Sequence, residues 1–186
     1  MSNQINYRRH GLVGVSSVSL AAARVGRFDA LAPFPNRQPE YEENMPALDG
    51  ATAWLNAQPL TTDALRGNIV AVDFWTYTCI NWLRTLPYIR AWAEQYRDHG
   101  LVVIGVHTPE FPFEHDLANV RRAVQEMRVT YPVAIDNDYT IWDAFDNHYW
   151  PALYLTDGNG RIRHQQFGEG DYDEAERIIQ QLLTEV

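Results

Sequence analysis

The chain contains no lysine. All 15 cationic side chains among its 186 residues are arginine. A chain without lysine cannot form a Schiff base with a carbonyl substrate, and it cannot supply the lysine of a phosphate-binding loop. Enzyme mechanisms that depend on either group are therefore excluded.

Cysteine is nearly absent as well, because Cys79 is the only one. A single cysteine cannot form an intramolecular disulfide, so the fold is not held together by disulfide bonds. The hydrophobic content of 46% and the aromatic content of 12% instead indicate a globular protein with a full core. The net charge of -9, without a dense basic patch, argues against nucleic acid as a partner.

The N-terminal part differs in composition from the rest. Residues 1–32 combine Arg8 and Arg9 with an uncharged run over residues 11–23, which is too short to span a bilayer. This pattern fits a twin-arginine-like export signal or an N-terminal helical extension, so exported and cytoplasmic locations both stay open. Residues 33–46 are rich in proline and are predicted to form a linker, and residues 47–186 the folded domain. We expect no integral membrane segment.

Strand and helix patterns alternate along the predicted domain. Apolar runs over 69–75 and 101–108 indicate buried strands, and each is followed by a helical pattern. The other predicted elements are a hairpin over 47–55, a helical turn over 61–65, a strand over 131–135, a helical segment over 139–145, a hairpin joining 151–156 to 162–167, and a helix over 171–183. This order predicts an α/β fold with a mixed central sheet flanked by helices.

Cys79 is predicted to open the helix that follows the strand over 69–75. Unpaired backbone N–H groups and the positive end of the helix dipole favour a thiolate at such a position. Position alone leaves two interpretations open. Cys79 is either a nucleophile or a buried, inert residue, because free cysteine is among the most buried residue types.

The residues around Cys79 resemble the thioredoxin superfamily. Asp73 matches the buried acid of that superfamily, and Trp75 matches the tryptophan beside its active site. Pro87 matches the proline inside the active-site helix, and the Trp150-Pro151 pair matches the cis-proline that faces the cysteine.

Three longer motifs are similar to those of the TlpA-like and DipZ-type branch of this superfamily: WTYTCIN, GVHTPEF and GEG-x-Y. The resemblance covers roughly residues 47–186 and implies a thioredoxin-like fold with an N-terminal extension. It also implies thiol–disulfide chemistry at Cys79 assisted by Asp73. Candidate residues of a substrate groove are Trp75, Thr76, Trp82, Glu110, Trp150 and Pro151.

Position 82 departs from this family, which carries a second cysteine there. Trp82 cannot release a mixed disulfide from Cys79, so a thiol from another molecule would have to do so. Trp82 shares a helical stripe with Leu86 and Ile89, and we expect its ring to turn inward. Asp73 is then either a structural remnant or a proton-transfer group for Cys79.

Three functions fit these observations. The first is a thiol-based oxidoreductase that uses Cys79 in intermolecular exchange with protein or small-molecule thiols and disulfides. The second is a one-cysteine thiol peroxidase, because Thr76 stands three residues before Cys79 as in peroxiredoxins. The proline that peroxiredoxins carry seven residues before the cysteine is Val72 in this chain. The third is a redox-silent module that binds peptides through the tryptophans of the groove.

No cofactor is predicted. His107, Glu110, Glu114 and His115 offer two imidazoles and two carboxylates within nine residues. Their spacing fits neither a zinc finger nor a helical HExxH motif, so we expect no metal site. We expect the loop over 108–113 to shape access to Cys79 instead, with Glu110 as an acid near the thiol.

Overall fold

A computed structural model describes residues 43–186, and the predictions for residues 1–42 lie outside that range. The described chain alternates strands with helices in the order β1 Ala53–Leu55, β2 Ile69–Trp75, α1 Ile80–Gln95, β3 Leu101–His107, α2 Leu117–Glu126, β4 Val133–Ile135, α3 Thr140–Ala144, β5 Ala152–Thr156, β6 Ile162–Phe167 and α4 Tyr172–Leu183. Short 3₁₀ helices cover Asp63–Leu65, Arg97–His99 and Pro112–His115. The predicted α/β class with a mixed sheet is confirmed.

The six strands form one sheet in the order β1-β4-β3-β2-β5-β6. β2, β3 and β4 run parallel to one another, whereas β5 is antiparallel to β2 and β6 is antiparallel to β5. β2 therefore lies inside the sheet with a neighbour on each side. Its sequence IVAVDFW is buried along its whole length, as expected for a strand covered on both faces.

Alternation along β2 divides its side chains between two hydrophobic clusters. Ile69, Ala71 and Trp75 face the cluster that contains the buried residues of α1, α2 and α4. Val70, Val72 and Phe74 face the second cluster, to which α3 contributes. Asp73 has the parity of Ala71 and Trp75, so its carboxylate points to the α1 side of the sheet.

The predicted hairpin over 47–55 is wrong. Residues 49 and 50 do form a turn, but β1 pairs with β4 in antiparallel register, with Ala53 opposite Ile135. Because the partner strand lies some 80 residues further along the chain, the pattern of residues 47–55 alone gives no sign of it.

Residues 43–46, at the end of the predicted linker, pack on the domain. Asn44 forms an isolated bridge with Arg161, and the backbone N–H of Met45 donates to the carbonyl of Gly160 at 2.7 Å. The side chain of Met45 is buried in the second cluster. Within the described residues, no helix is both long enough and apolar enough to cross a membrane.

Candidate functional site

Cys79 is the residue that precedes α1. Its backbone is extended, with φ -70° and ψ 112°, and its N–H donates to the carbonyl of Thr76 at 3.2 Å. The half-buried thiol donates to the carbonyl of Trp150, with 3.7 Å between sulfur and oxygen. The prediction that Cys79 opens its helix is confirmed, and Pro87 lies in the interior of that helix as expected.

Trp150 and Pro151 face the thiol from the start of β5. The peptide bond between them is cis, in line with the sequence motif. The indole N–H of Trp150 donates to the carbonyl of Thr108 at 3.1 Å, and its ring packs on Trp142 with centroids 4.2 Å apart. The carbonyl of Pro151 accepts from the N–H of Gly168 at 2.8 Å, so the GEG-x-Y motif lies beside this edge of the site.

Trp82 lies three residues after Cys79, at the position where the family resemblance predicts a second cysteine. Its ring is fully buried and stacks on Trp75, with centroids 4.2 Å apart and an interplanar angle of 21°. Its indole N–H donates to Oδ2 of Asp73 at 2.9 Å. The ring turns inward as predicted, and it gives the buried acid a hydrogen-bond donor that the sequence pattern did not reveal.

Asp73 is fully buried and only partly hydrogen-bonded. Among residues 43–186 its Oδ1 atom has no hydrogen-bond partner, and the buried hydroxyl of Tyr131 has none either. Desolvation of the carboxyl raises the pKa of Asp73 to about 7, with a smaller opposing effect of the Trp82 hydrogen bond. Burial, together with the charge of Asp73, holds the pKa of Tyr131 well above its usual value. Asp73 therefore titrates near neutral pH, in a region with few donors.

Gly105 allows the aromatic rings to close over this region. It lies opposite Asp73 in the register of β2 and β3. A Cβ atom at position 105 would lie 2.8 Å from Nε1 of Trp75 and 3.0 Å from the ring of Tyr131. A larger residue at this position is thus incompatible with the packing of both rings.

Four of the six predicted groove residues are buried. Trp75, Thr76 and Trp82 are each 0% exposed, so they cannot contact a substrate directly. They belong to the core because β2 stays buried up to its last residue and α1 packs over its end. Of the other three predicted residues, Pro151 is buried, Trp150 is half-buried and Glu110 is exposed.

Glu114, rather than Glu110, is the buried acid of the loop after β3. Its Oε1 accepts from the hydroxyl of Thr78 at 2.6 Å, and its Oε2 accepts from the backbone N–H groups of Glu110 at 2.7 Å and Phe111 at 2.9 Å. Burial acts to raise the pKa of Glu114, but hydroxyl and amide donors outweigh that effect and hold it below its usual value. Phe111-Pro112-Phe113-Glu114 carries a signal that predicts this role, because proline at N1 and glutamate at N3 are typical of a capped helix start.

His107 is the last residue of β3 and is fully buried. Burial lowers its pKa to about 4, so the imidazole is neutral at physiological pH. Its ring lies against Trp75 and is stacked on Tyr77, with the Tyr77 centroid 5.7 Å away. Across residues 43–186, no three histidine, cysteine or acidic side chains are arranged to hold a metal ion.

Exposed apolar side chains lie on two segments near Cys79: the start of α1 and the loop after β3. Ile80, directly after Cys79, is 58% exposed. Phe111 and Phe113 are exposed and stacked, with centroids 5.6 Å apart, and Phe113 also lies next to Tyr77. The exposure of these side chains could not be predicted from the sequence, because the residues next to a loop aromatic do not determine whether it is exposed.

Solved structures of thioredoxin-like proteins share this fold. The chain superposes on a thioredoxin-like protein solved in its oxidised form with a TM-score of 0.72 and 30% identity, covering 79% of this chain and 99% of that one. A thioredoxin-like superfamily protein, SPOA0173, matches with a TM-score of 0.71 at 22% identity, covering 77% and 97% of the two chains. The predicted thioredoxin-like fold is confirmed.

The chain belongs to the AhpC/TSA family, whose model matches residues 42–165. It is 46% identical over 143 residues to the protein DipZ of Mycobacterium tuberculosis, a match that covers 75% of this chain but only 21% of DipZ. It is 30% identical over 141 residues to the thiol-disulfide oxidoreductase YkuV of Bacillus subtilis, covering 76% of this chain and 95% of YkuV. The predicted resemblance to TlpA-like and DipZ-type proteins is confirmed, and the chain spans about a fifth of the length of DipZ.

Proposed function

We propose that this protein is a thiol–disulfide oxidoreductase of the thioredoxin-like type that works through one cysteine, Cys79. The observation that carries the proposal is the half-exposed thiol at the start of α1, beside a position where a buried indole replaces the second cysteine. Family membership and the likeness to YkuV support the reaction class. The composition of the chain, with Cys79 as its single cysteine, supports the single-cysteine route.

The reaction has two exchange steps. In the first, the Cys79 thiolate attacks one sulfur of a substrate disulfide, forms a mixed disulfide with it and releases the other sulfur as a thiolate. In the second, the thiolate of an outside thiol attacks the mixed disulfide. This step releases Cys79 as a thiolate and leaves the outside thiol bonded to the substrate sulfur. Electrons thus pass from the outside thiol to the substrate disulfide, and Cys79 is unchanged after one cycle.

Asp73 acts in this scheme as a buried acid that titrates near neutral pH. On the α1 side of β2, the indole N–H of Trp82 donates to the carboxylate of Asp73 and holds it in place. We propose that Asp73 exchanges protons on this side of the site. Trp150 and Glu110, which have exposed surface, would line the approach to the thiol, whereas the buried residues Trp75, Thr76, Trp82 and Pro151 would support the site from below.

The two alternative functions have less support. A peroxidase that orients peroxide through Thr76 needs that hydroxyl at the surface, but Thr76 is fully buried. A peptide-binding module needs exposed tryptophans, but of the three proposed for that role only Trp150 has exposed surface. The exposed apolar side chains around Cys79, Ile80 among them, fit a protein substrate as well as a binding module.

The test is the formation and resolution of a mixed disulfide. The protein is incubated with oxidised glutathione at neutral pH, and its mass is measured before and after addition of reduced glutathione. We expect one glutathione adduct per chain that disappears when the reduced thiol is added. A folded protein that forms no adduct, or an adduct that reduced glutathione does not release, would contradict the proposal.

A second assay separates one-cysteine from two-cysteine chemistry. Insulin reduction without an outside thiol should be almost absent, because no second thiol lies next to the mixed disulfide to release it. Added reduced glutathione should restore turnover. Cys79→Ser is the matched control, since it preserves the shape of the site and should abolish both the adduct and the glutathione-dependent turnover.

A further inference from the structure

Glu114 has an unusual environment for a carboxylate. It is 0% exposed, and none of the ion pairs among residues 43–186 includes it. Three neutral donors hold it instead, namely the Thr78 hydroxyl and the backbone N–H groups of Glu110 and Phe111. A buried carboxylate without a cation is costly unless its oxygens are saturated with donors, and here they are.

Two of the three donors belong to the loop of Glu114 itself, and the third does not. Thr78 precedes Cys79, so its hydrogen bond joins the loop after β3 to the residue next to the nucleophile. The bond is 2.6 Å long, which is typical of a hydroxyl that donates to a charged oxygen. A second bond joins the same two segments, because the hydroxyl of Tyr77 donates to the carbonyl of Phe113 at 3.2 Å.

The same loop also holds the opposite side of the thiol. The carbonyl of Thr108 accepts from the indole N–H of Trp150 at 3.1 Å, and the carbonyl of Trp150 accepts from the thiol of Cys79. Residues 108–114 thus bind the chain before Cys79 and the residue that faces it. Among residues 43–186, the sulfur donates to Trp150 and the Thr78 hydroxyl donates to Glu114, so no hydrogen bond joins either residue of that pair to the sulfur, and their effect on it is indirect.

We propose that Glu114 is a positioning residue for the Cys79 thiol, acting through the hydroxyl of Thr78 to fix the nucleophile against the segment that carries Trp150. The inference rests on the proposed use of Cys79 as the reactive group. A nucleophile must lie within a narrow range of distance and angle for its reaction, and a displacement of about 1 Å can cost a factor of about 100 in rate. Release of Thr78 would allow the residue next to it to move.

Thr78 offers a matched pair of variants. Its side chain is exposed, so substitution there should leave the fold intact. Thr78→Val keeps the shape but removes the hydroxyl, whereas Thr78→Ser keeps the hydroxyl. The rate constants for alkylation of Cys79 by iodoacetamide and for adduct formation with oxidised glutathione are measured at 25 °C on folded protein. We expect Thr78→Val to lower both by roughly 10-fold, and Thr78→Ser to stay within about twofold of the wild type.

Glu114→Gln tests whether the effect passes through Thr78. It should slow alkylation in the wild-type background and have little further effect in the Thr78→Val background, because the coupled pair is already broken. Equal effects of Glu114→Gln in the two backgrounds would overturn the proposal. It would also be overturned if Thr78→Val reacted like the wild type, or if Thr78→Ser were as slow as Thr78→Val. If Glu114→Gln does not fold, the rates of Thr78→Val and Thr78→Ser alone support or overturn the proposal.

The two readouts separate this inference from the proposed function. A wild type that is alkylated but forms no adduct with oxidised glutathione would contradict the exchange reaction. Positioning of the thiol would still stand if alkylation followed the expected pattern in the variants. A wild-type thiol that iodoacetamide cannot reach in the folded protein would overturn both.

Discussion

Asp73 and Glu114 are both buried carboxylic acids close to the Cys79 segment, yet their surroundings act on them in opposite directions. Asp73 accepts one hydrogen bond, from Trp82, and its pKa is raised to about 7. Glu114 accepts three, and its pKa lies below the usual value. Burial is common to both, so the number of donors decides which acid is ionised at neutral pH.

The difference follows from the backbone around each residue. Asp73 lies in the middle of β2, where the backbone groups of its neighbours are used by the strand ladder with β3 and β5. Glu114 lies in the short helix Pro112–His115, and the backbone N–H groups of the two residues before that helix, Glu110 and Phe111, donate to its side chain. A carboxylate at this position of a helix start is therefore hydrogen-bonded by the backbone, whereas one inside a sheet depends on side chains such as the indole of Trp82.

The change with the largest expected effect removes the one side-chain donor to Asp73 within the described part of the chain. Trp82→Cys deletes a fully buried ring and should lower the free energy of unfolding of the reduced protein by roughly 3–5 kcal/mol. The new thiol lies three residues after Cys79 at the start of α1, the spacing of redox-active cysteine pairs. We therefore expect an internal disulfide under mild oxidation, measured as the loss of two hydrogens in the intact mass.

Trp82→Ser is the control for this variant, because it opens a similar cavity without adding a thiol. It should be destabilised to the same degree and should show no change in mass on oxidation. Folded Trp82→Cys with both thiols still free after oxidation would mean that the site is not a thioredoxin site with one residue replaced.

A second prediction uses the raised pKa of Asp73. An acid whose pKa is higher in the folded protein favours folding in its neutral form. Its contribution is therefore fully present below about pH 4 and is lost as the pH rises to about 7. Asp73→Asn, which stays neutral, should equal the wild type near pH 4 and exceed it in free energy of unfolding by up to about 4 kcal/mol at pH 8. Urea denaturation at the two pH values measures the difference.

Asp63→Asn is a matched exposed control, since the side chain of Asp63 is 86% exposed. Its effect should stay within about 0.5 kcal/mol at both pH values. A pH-independent difference between Asp73→Asn and the wild type would show that Asp73 does not titrate between its folded and unfolded values as stated.

Sequence patterns predicted the burial of Asp73 but not the role of Glu114. The apolar run over 69–75 predicted β2, and with it the burial of Asp73, because a strand covered on both faces has no exposed side. The stripe shared by Trp82, Leu86 and Ile89 predicted that the indole turns inward. It did not predict Asp73 as the acceptor, because that contact depends on how α1 packs over β2.

The loop after β3 was harder to predict for a related reason. Glu110 and Glu114 are four residues apart, and both follow a strand that ends near Cys79. Only the spacing of Pro112 and Glu114, which is typical of a capped helix start, distinguishes them in the sequence. The backbone turn points the side chain of Glu114 back onto the amides of Glu110 and Phe111 and leaves Glu110 exposed. The pairing of β1 with β4 was missed because it joins segments far apart in sequence.

A third prediction concerns the ionised acid. An acid whose pKa is lowered by folding stabilises the protein above the unfolded value and loses that contribution as the pH falls. Glu114→Gln should lower the free energy of unfolding by about 1–3 kcal/mol at pH 7, because the amide group cannot accept from all three donors. The difference should shrink as the pH falls below 4. Its sign is opposite to that for Asp73→Asn, because Glu114→Gln lowers the free energy of unfolding at neutral pH whereas Asp73→Asn raises it. A difference that persists unchanged at pH 3 would contradict it.

The smallest expected change in the free energy of unfolding is at a carboxylate that forms an ion pair with an arginine. Arg84 and Glu169 form an ion pair at 2.8 Å between the first half of α1 and the GEG-x-Y motif, with 60% and 33% of their side chains exposed. Water screens such a pair, and ordering two long side chains offsets much of its attraction. Arg84→Ala should therefore change the free energy of unfolding by less than about 0.5 kcal/mol, and 1 M salt should remove most of that. A loss above about 1 kcal/mol that survives high salt would mean that Arg84 does more than pair with Glu169. A loss within the expected range would show that pairing with a cation contributes less to stability than burial and the number of hydrogen-bond donors. The predicted effect at Glu114 is larger, although none of the ion pairs among residues 43–186 includes Glu114.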